Sequence, residues 1–277
     1  MSGGRCWRIA AASAPGTSHA KLGIPCQDAH VVNLFPDRNG KNVLVAVVSD
    51  GAGSAAKAEV GSWLTCSSVA EAARAYLING KVSDISRDVA LSWVAIVQQA
   101  VGMRAKEDNG VARDYACTML VAIVGEDAAA FLQVGDGATV VSDDEGWCWV
   151  HWPQHGEFAN MTNFVTEPNA EEKLAFDLCP RRIDEVAVFS DGIERLVLHE
   201  SSKSVFDPFF DRMFPAVRSL DPDGLNCKLS ASLESYLNSK IINDKTDDDK
   251  TLVLATRRSP SPPEPVKQPT DAALKVD

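Results

Sequence analysis

The sequence lacks the features of secreted disulfide-rich proteins and of membrane-spanning proteins. Its seven cysteines are odd in number and include no Cys-x-x-Cys pair, a pattern that favours thiols in a reducing compartment over a disulfide framework. The first residues carry no apolar core of a secretory signal. No run approaches the ~20 apolar residues that a membrane span needs. We therefore expect a cytoplasmic protein without a membrane partner.

Positive charge is also scarce. The chain has 38 Asp and Glu residues against 27 Lys and Arg residues, which gives a net charge of −11. A non-specific nucleic-acid binder needs a basic face that displaces counterions, so we expect no nucleic-acid partner. The 277 residues, 45% of them hydrophobic, are enough to build a core that folds without disulfides or a structural metal.

Apolar periodicity predicts a chain in which strands and helices are grouped. The predicted strands cover residues 6–13, 29–35, 43–49, 116–124, 128–134, 138–142, 146–151, 185–189 and 251–256. The predicted helices cover residues 55–78, 84–106, 205–217 and 224–239. This order favours an α+β fold with helices outside packed antiparallel sheets.

Three segments carry no such pattern. Residues 14–19 are predicted as a turn-rich loop. Residues 153–180 are polar and irregular, and a stretch of this length inside a compact domain is usually functional or mobile. Residues 258–277 are rich in proline and cannot bury a core, which predicts a disordered tail behind a folded domain over residues 1–257.

Short acidic motifs stand next to four of the predicted strands. They are Gln27-Asp28, Ser49-Asp50-Gly51, Ser190-Asp191-Gly192 and Asp247-Asp248-Asp249. Carboxylates that gather at strand ends repel one another and raise one another's pKa unless a cation joins them. Oxygen ligands suit Mg²⁺ or Mn²⁺ better than zinc, which prefers His and Cys. The motifs therefore predict a carboxylate-bound metal centre.

Together with Cys117-Thr118 and Gly135-Asp136-Gly137, these motifs resemble in order and spacing the type-2C metal-dependent serine/threonine protein phosphatases. The resemblance extends from about residue 10 to residue 256. It implies an α+β, four-layer sandwich of two antiparallel β-sheets flanked by helices. It also implies that residues 1–257 are a catalytic domain and that the segment at about 153–180 is a flap-like element beside the cleft.

The resemblance implies two Mn²⁺ or Mg²⁺ ions that share a bridging water. Asp50 would bridge both ions and the Gly51 carbonyl would help one of them; the remaining ligands would be Asp28 on one ion, and Asp191 and Asp248 on the other. Asp136 is either a ligand of a third ion or part of a tight turn. Asp249 stands where the family commonly has asparagine, and it remains an alternative to Asp248 as the ligand.

The residue that grips substrate phosphate in many family members is absent, because this chain has Gly23 at that place. The nearby candidates are His19 and Lys21. His19 either binds phosphate, protonates the leaving alkoxide or is a solvent-exposed loop residue. Lys21 is either a phosphate contact or a surface charge.

The expected function is metal-dependent hydrolysis of phosphoserine and phosphothreonine in proteins by a water that two metals activate. The expected partners are a phosphorylated protein and a cognate Ser/Thr kinase in bacterial signalling. Two alternatives stay open. Gly23, and Gln27 where many members have Glu, motivate a catalytically weak member that acts as a regulatory or binding module. The other alternative is a phosphatase of small phosphorylated metabolites.

Overall fold

The computed structural model describes residues 6–142, 146–155, 162–221 and 224–260. Its strands are β1 (Arg8–Ala14), β2 (Ala29–Pro36), β3 (Asn42–Ser49), β4 (Met119–Val124), β5 (Ala129–Val134), β6 (Ala138–Ser142), β7 (Trp147–Trp149), β8 (Ala175–Cys179), β9 (Glu185–Phe189), β10 (Leu198–His199), β11 (Ser204–Val205), β12 (Gly224–Leu225) and β13 (Lys250–Thr256). Its α-helices are α1 (Thr17–Leu22), α2 (Ala58–Leu77), α3 (Arg87–Glu107), α4 (Ala170–Lys173), α5 (Glu194–Val197), α6 (Asp207–Arg218), α7 (Cys227–Leu237) and α8 (Lys240–Asn243).

Two sheets form the centre of the described chain. One has five strands in the order β2-β3-β4-β5-β8, and the other has six strands in the order β12-β1-β13-β9-β6-β7. Neighbouring strands are antiparallel except for β1 and β12, which pair in parallel. Helices α2 and α3 pack on the five-stranded sheet, and α6 and α7 pack on the six-stranded sheet. This four-layer arrangement confirms the predicted fold class.

Strand β3 shows why the central strands read as unbroken apolar runs. Val43, Val45 and Val47 point into the core beneath α2 and α3. Leu44 and Ala46 point into the core between the two sheets. Successive side chains of a strand face opposite sides, and here both sides are buried, so positions 43–48 are all apolar.

The loop predicted at residues 14–19 is shorter in the structure, because β1 extends to Ala14 and α1 begins at Thr17. The helix ends before Gly23, which adopts a left-handed conformation with φ of 69°. A tertiary contact holds its first turn, since the Ser18 N–H donates to the Asp247 carbonyl at 3.0 Å. A helix of six residues depends on such contacts more than on its own periodicity, so the local pattern did not reveal it.

The segment 153–180 contains two elements that the sequence pattern did not predict, α4 and β8. Strand β8 is the edge strand of the five-stranded sheet and pairs with β5. Its residues are half-buried or exposed, so they show no clear alternation of apolar and polar side chains. Residues 156–161 of this segment lie outside the described residues, as do residues 261–277 of the predicted tail.

Within the described ranges, every helix is too short or too polar to cross a lipid bilayer.

Candidate metal centre

The acidic motifs meet at one end of the two sheets. Ala29 pairs with Ser49 across β2 and β3, so Asp28 and Asp50 leave the sheet at the same end. In the other sheet β9 and β13 are antiparallel neighbours, and their paired ends carry the Asp191 and Asp248 motifs. Asp136 lies in the turn between β5 and β6, where the chain passes from one sheet to the other.

A cavity of about 300 Å³ opens at this end. Its lining consists of His19, Asp50, Gly51, Ala52, Gly53, Ser54, Thr118, Asp136, Thr162, Phe164, Asp191 and Asp248. Six of the residues that the sequence predicted for the site are therefore brought together. Carboxylate oxygens of Asp50, Asp136 and Asp191 lie within 4.8 Å of one another.

Asp28 is buried next to the cavity, close enough to Asp50 for each carboxyl group to affect the pKa of the other. Ser190 Oγ donates to Asp28 Oδ2 at 2.6 Å and accepts a hydrogen bond from the Thr251 N–H at 2.9 Å. Ser190 thus fixes one oxygen of Asp28. The other oxygen, Oδ1, is buried and has no hydrogen-bond partner among the described residues.

The position of Asp50 is fixed through its backbone. The Asp50 N–H donates to Thr118 Oγ1 at 2.9 Å, and the Thr118 N–H donates to the Asp50 carbonyl at 2.8 Å. Gly51 follows at a close approach: a Cβ there would lie 2.8 Å from the Gln27 carbonyl oxygen. The loop after β3 can therefore turn into the cavity only with glycine at this position.

Asp248 and Asp249 point in different directions. Asp248 lines the cavity. The Asp249 side chain, in contrast, is only 2% exposed and faces the backbone at Gly16 and Gln27, on either side of α1. The Asp249 carboxylate accepts hydrogen bonds from the Gly16 N–H at 2.6 Å, the Gln27 N–H at 2.5 Å and His19 Nδ1 at 2.9 Å. The structure thus places Asp248 among the possible ligands and leaves Asp249 outside the cavity.

The two basic candidates also separate. His19 lines the cavity, and its side chain is 14% exposed. Lys21 is exposed and is not part of the cavity lining. Both lie on α1. Residues two positions apart in an α-helix point about 200° away from each other around its axis, so only one of the two can face the cavity.

Burial and mutual repulsion raise the pKa values of the aspartates. Burial raises the pKa of Asp50 well above its usual range, and the charges of Asp28 and Asp191 raise it further. Burial, followed by the charges of Asp136 and Asp248, raises the pKa of Asp191 to about 8. Burial also raises the pKa of Asp28, to about 6. A cation among these groups would favour their charged forms and lower these pKa values.

The donor set fits Mg²⁺ or Mn²⁺. All the acidic groups offer oxygen, the donor that these ions prefer. Asp191 Oδ1, like Asp28 Oδ1, is buried without a hydrogen-bond partner in the described part of the chain. Buried carboxylate oxygens are costly when unpaired, and a divalent cation would supply the missing partner.

A second group of possible ligand atoms, from His155, Glu194 and Glu200, also lies within 4.8 Å. These side chains already have partners: His155 Nε2 lies 3.1 Å from Glu194 Oε1, and Glu200 pairs with Lys203. The aspartates are therefore the candidate metal centre.

Sequence reasoning did not predict several residues that line or support the site, among them Thr118, Ser190, Thr162 and Phe164. Both Thr118 and Ser190 belong to the motifs quoted for the family, and for Ser190 its place directly before Asp191 was an additional signal. Thr162 and Phe164 line the cavity, and Thr162 Oγ1 donates a hydrogen bond to Asp136. No sequence pattern marks these last two, because they come from the irregular segment 153–180.

Comparison with known proteins agrees with this geometry. Residues 15–235 match the family described as Protein phosphatase 2C. The chain is 34% identical over 252 residues to Serine/threonine-protein phosphatase 3 of Escherichia coli (strain K12), covering 90% of this chain and 98% of that protein.

Solved structures share the fold at low sequence identity. The catalytic domain of the serine threonine protein phosphatase PstP, in complex with two manganese ions, matches with a TM-score of 0.60 at 15% identity, covering 91% of this chain and 98% of that one. The S. agalactiae serine/threonine phosphatase matches with a TM-score of 0.60 at 13% identity, covering 90% and 99%. With its family match and its bacterial relative, this chain belongs to the protein phosphatase 2C family.

Proposed function

We propose that the acidic cavity is the catalytic centre for metal-dependent hydrolysis of phosphoserine and phosphothreonine in proteins. Family membership carries the reaction class and the metal dependence. The observation that supports this cavity as the centre is the convergence of the Asp50, Asp136 and Asp191 carboxylates, whose oxygens lie within 4.8 Å of one another.

The ligand roles are those that the family resemblance implies, and the positions of the side chains support them. Asp50, at the middle of the group, would lie between two ions, with the Gly51 carbonyl beside it. Asp28 would serve one ion, and Asp191 and Asp248 the other. Asp136 would hold a third ion. When bound, the ions supply positive charge that lowers the pKa of a water and offsets the charge of the phosphoryl oxygens.

Among the described residues that line the cavity, His19 carries the imidazole that can transfer a proton. Its Nδ1 is bound to the Asp249 carboxylate, so Nε2 is the nitrogen left for the cavity. Asp249 accepts the Nδ1–H and orients the ring, so that a protonated His19 can give its Nε2 proton to the leaving serine or threonine oxygen. Asp249 is thus a positioning residue in this proposal and is not a metal ligand.

The test is Asp50→Asn, compared with Asp88→Asn on the exposed start of α3. We expect Asp50→Asn to bring phosphopeptide hydrolysis to background, because the amide cannot offset two cations. Millimolar Mn²⁺ should raise the melting temperature of the wild type, since a ligand of the native state stabilises it. That increment should disappear in Asp50→Asn and persist in Asp88→Asn. Substantial turnover by Asp50→Asn would remove Asp50 from the bridging role.

Substrate choice separates the remaining alternatives. Hydrolysis of p-nitrophenyl phosphate with Mn²⁺, but not with chelator, would exclude a purely regulatory module. A higher kcat/KM for phosphopeptides than for small phosphate esters would exclude a metabolite phosphatase. The retained set of Asp28, Asp50, Asp191 and Asp248 favours catalysis, because gathering buried carboxylates is costly in a site without a use.

The cellular setting is part of the same proposal. A phosphoprotein substrate requires a Ser/Thr kinase that supplies it, and we expect the two enzymes to oppose each other in bacterial signalling. A cytoplasmic location is supported by Cys66 and Cys117, which are buried as thiols. We assign catalysis to the domain over residues 1–257, with the segment 153–180 as its flap.

A further inference from the structure

A second polar cavity, of about 210 Å³, lies beside the acidic cavity. Asp191 and Asp248 line both cavities. The two spaces therefore adjoin each other at these two aspartates.

Two basic side chains line this second cavity, Arg195 from α5 and Lys245 from the turn after α8. Both residues are exposed. Across residues 6–142, 146–155, 162–221 and 224–260, neither side chain forms an ion pair or a hydrogen bond. Arg218, by contrast, has its guanidinium occupied by Glu185 at 2.7 and 2.6 Å. Arg195 and Lys245 thus retain their full capacity to bind an anion.

The charge of this cavity depends on the neighbouring centre. Its carboxylates are Asp191, Asp247 and Asp248, and two of these are the ligands assigned above. With their charge taken up by bound cations, Asp247 alone faces Arg195 and Lys245. The cavity then carries one net positive charge, on a protein whose net charge is −11.

We propose that Arg195 and Lys245 form a subsite for an anionic group next to the phosphoserine or phosphothreonine that is hydrolysed. The group is a carboxylate side chain or a second phosphate of the same phosphoprotein. This inference rests on the proposed function. Such a subsite would make the enzyme selective for substrates with acidic residues next to the phosphorylated one. Arginine pairs with both anions in a bidentate way, and lysine adds a point charge.

The test uses two phosphothreonine peptides that differ only in flanking Glu or Gln residues, and a third with a flanking phosphoserine. The variant is Arg195→Gln/Lys245→Gln. Its control, Arg212→Gln/Lys228→Gln, removes the same charge from exposed positions on α6 and α7. We expect the wild type to favour the Glu peptide over the Gln peptide by about tenfold in kcat/KM, the size that two exposed ion pairs allow. The preference should vanish in the variant and remain in the control.

A binding measurement gives a second readout. Fluorescence anisotropy of the same peptides without phosphate on the threonine should show tighter binding of the Glu form, in Mn²⁺ more than in chelator. A variant that keeps the preference in both measurements overturns the subsite, as does a control that loses it equally. A greater response to flanking phosphoserine than to Glu would identify phosphate as the ligand of the subsite.

Failure of the proposed function has a different signature. In that case the wild-type protein would not hydrolyse p-nitrophenyl phosphate in Mn²⁺. This small substrate has no neighbouring residues that could reach the subsite. The anisotropy measurement would still decide the subsite in that case. Loss of the Glu preference in Arg195→Gln/Lys245→Gln supports it, and an unchanged preference contradicts it.

Discussion

Asp249 Oδ2 lies 2.9 Å from His19 Nδ1, and this contact joins residues that are 230 positions apart in the chain. The acceptor is buried, and the imidazole lines the cavity beside Asp50 and Asp248. A buried carboxylate that binds one ring nitrogen fixes the orientation of the ring and directs the other nitrogen outward. The residue that the sequence offered as an alternative metal ligand therefore serves the histidine.

His19→Ala should lower kcat by ~10²–10⁴ on esters with poor leaving groups, the usual contribution of general acid catalysis. The effect should be much smaller on p-nitrophenyl phosphate, whose leaving group needs little protonation. Asp249→Asn should lower kcat on the poor leaving group by about tenfold, as is typical for a positioning contact. Phenyl phosphate and p-nitrophenyl phosphate are the substrates to compare.

The control for these variants is Lys21→Ala, which should behave as wild type because Lys21 is exposed and lies outside the cavity lining. A rise in KM on both substrates with unchanged kcat would show that His19 binds phosphate and does not act as an acid. No effect on either substrate would contradict both roles.

Stability without metal should fall as the pH rises. The pKa of Asp28 is raised to about 6 and that of Asp191 to about 8. A free Asp titrates at about 3.9, so between pH ~4 and ~8 the folded state holds protons that the unfolded state has released. Unfolding becomes more favourable with pH across this window. In chelator, the melting temperature of the wild type should therefore fall more steeply from about pH 5 to 8 than that of Asp191→Asn.

Saturating Mn²⁺ should remove the fall of the wild-type melting temperature with pH, because a cation stabilises the charged carboxylates. Equal slopes in chelator would contradict a raised pKa at Asp191.

Gly192→Ala should destabilise the protein. A Cβ at Gly192 would lie 1.8 Å from the Asp249 carbonyl oxygen, so the Ser-Asp-Gly turn and the acidic run could not pack as they do. We expect a loss of about 1–3 kcal/mol in the free energy of unfolding, together with weaker stabilisation by Mn²⁺. Urea denaturation with and without Mn²⁺ measures both.

Gly102→Ala is the matched control. Outside the neighbouring residues and the backbone of the helix itself, no described atom lies within 4 Å of a Cβ at this position in α3, so alanine should stabilise the helix by about 0.5–1 kcal/mol. Similar destabilisation by both substitutions would show that the close contact at Gly192 is not the cause.

Phe164→Ala should affect protein substrates more than small ones. Phe164 lines the cavity from the segment 153–180, which we predict to act as a flap that selects substrates. Kinetics on a phosphoprotein and on p-nitrophenyl phosphate should show a larger loss of kcat/KM for the phosphoprotein. Equal losses would mean that Phe164 supports the metal centre or the fold, since it also packs near Ala58 and Ala116.

The sequence by itself determined the central strands and the acidic motifs. Predicted residues 138–142 and 185–189 coincide with β6 and β9, because these strands are buried on both faces and are mostly apolar, with Thr139, Ser142 and Glu185 as the exceptions. The aspartates were recognisable because each follows or precedes such a strand within a few residues, and strand ends of neighbouring antiparallel strands meet.

Only the tertiary structure decided which side chains reach the cavity. Asp248 and Asp249 are adjacent residues of the same type, so the sequence does not distinguish them. Their side chains point in different directions because the start of β13 lies against Gly16 and Gln27. Residues 175–179 form β8 because they pair with the free edge of β5. Their own sequence has no alternating pattern that would predict a strand. Local sequence sets the periodicity of a segment, but the direction of a single side chain depends on partners that are hundreds of residues away.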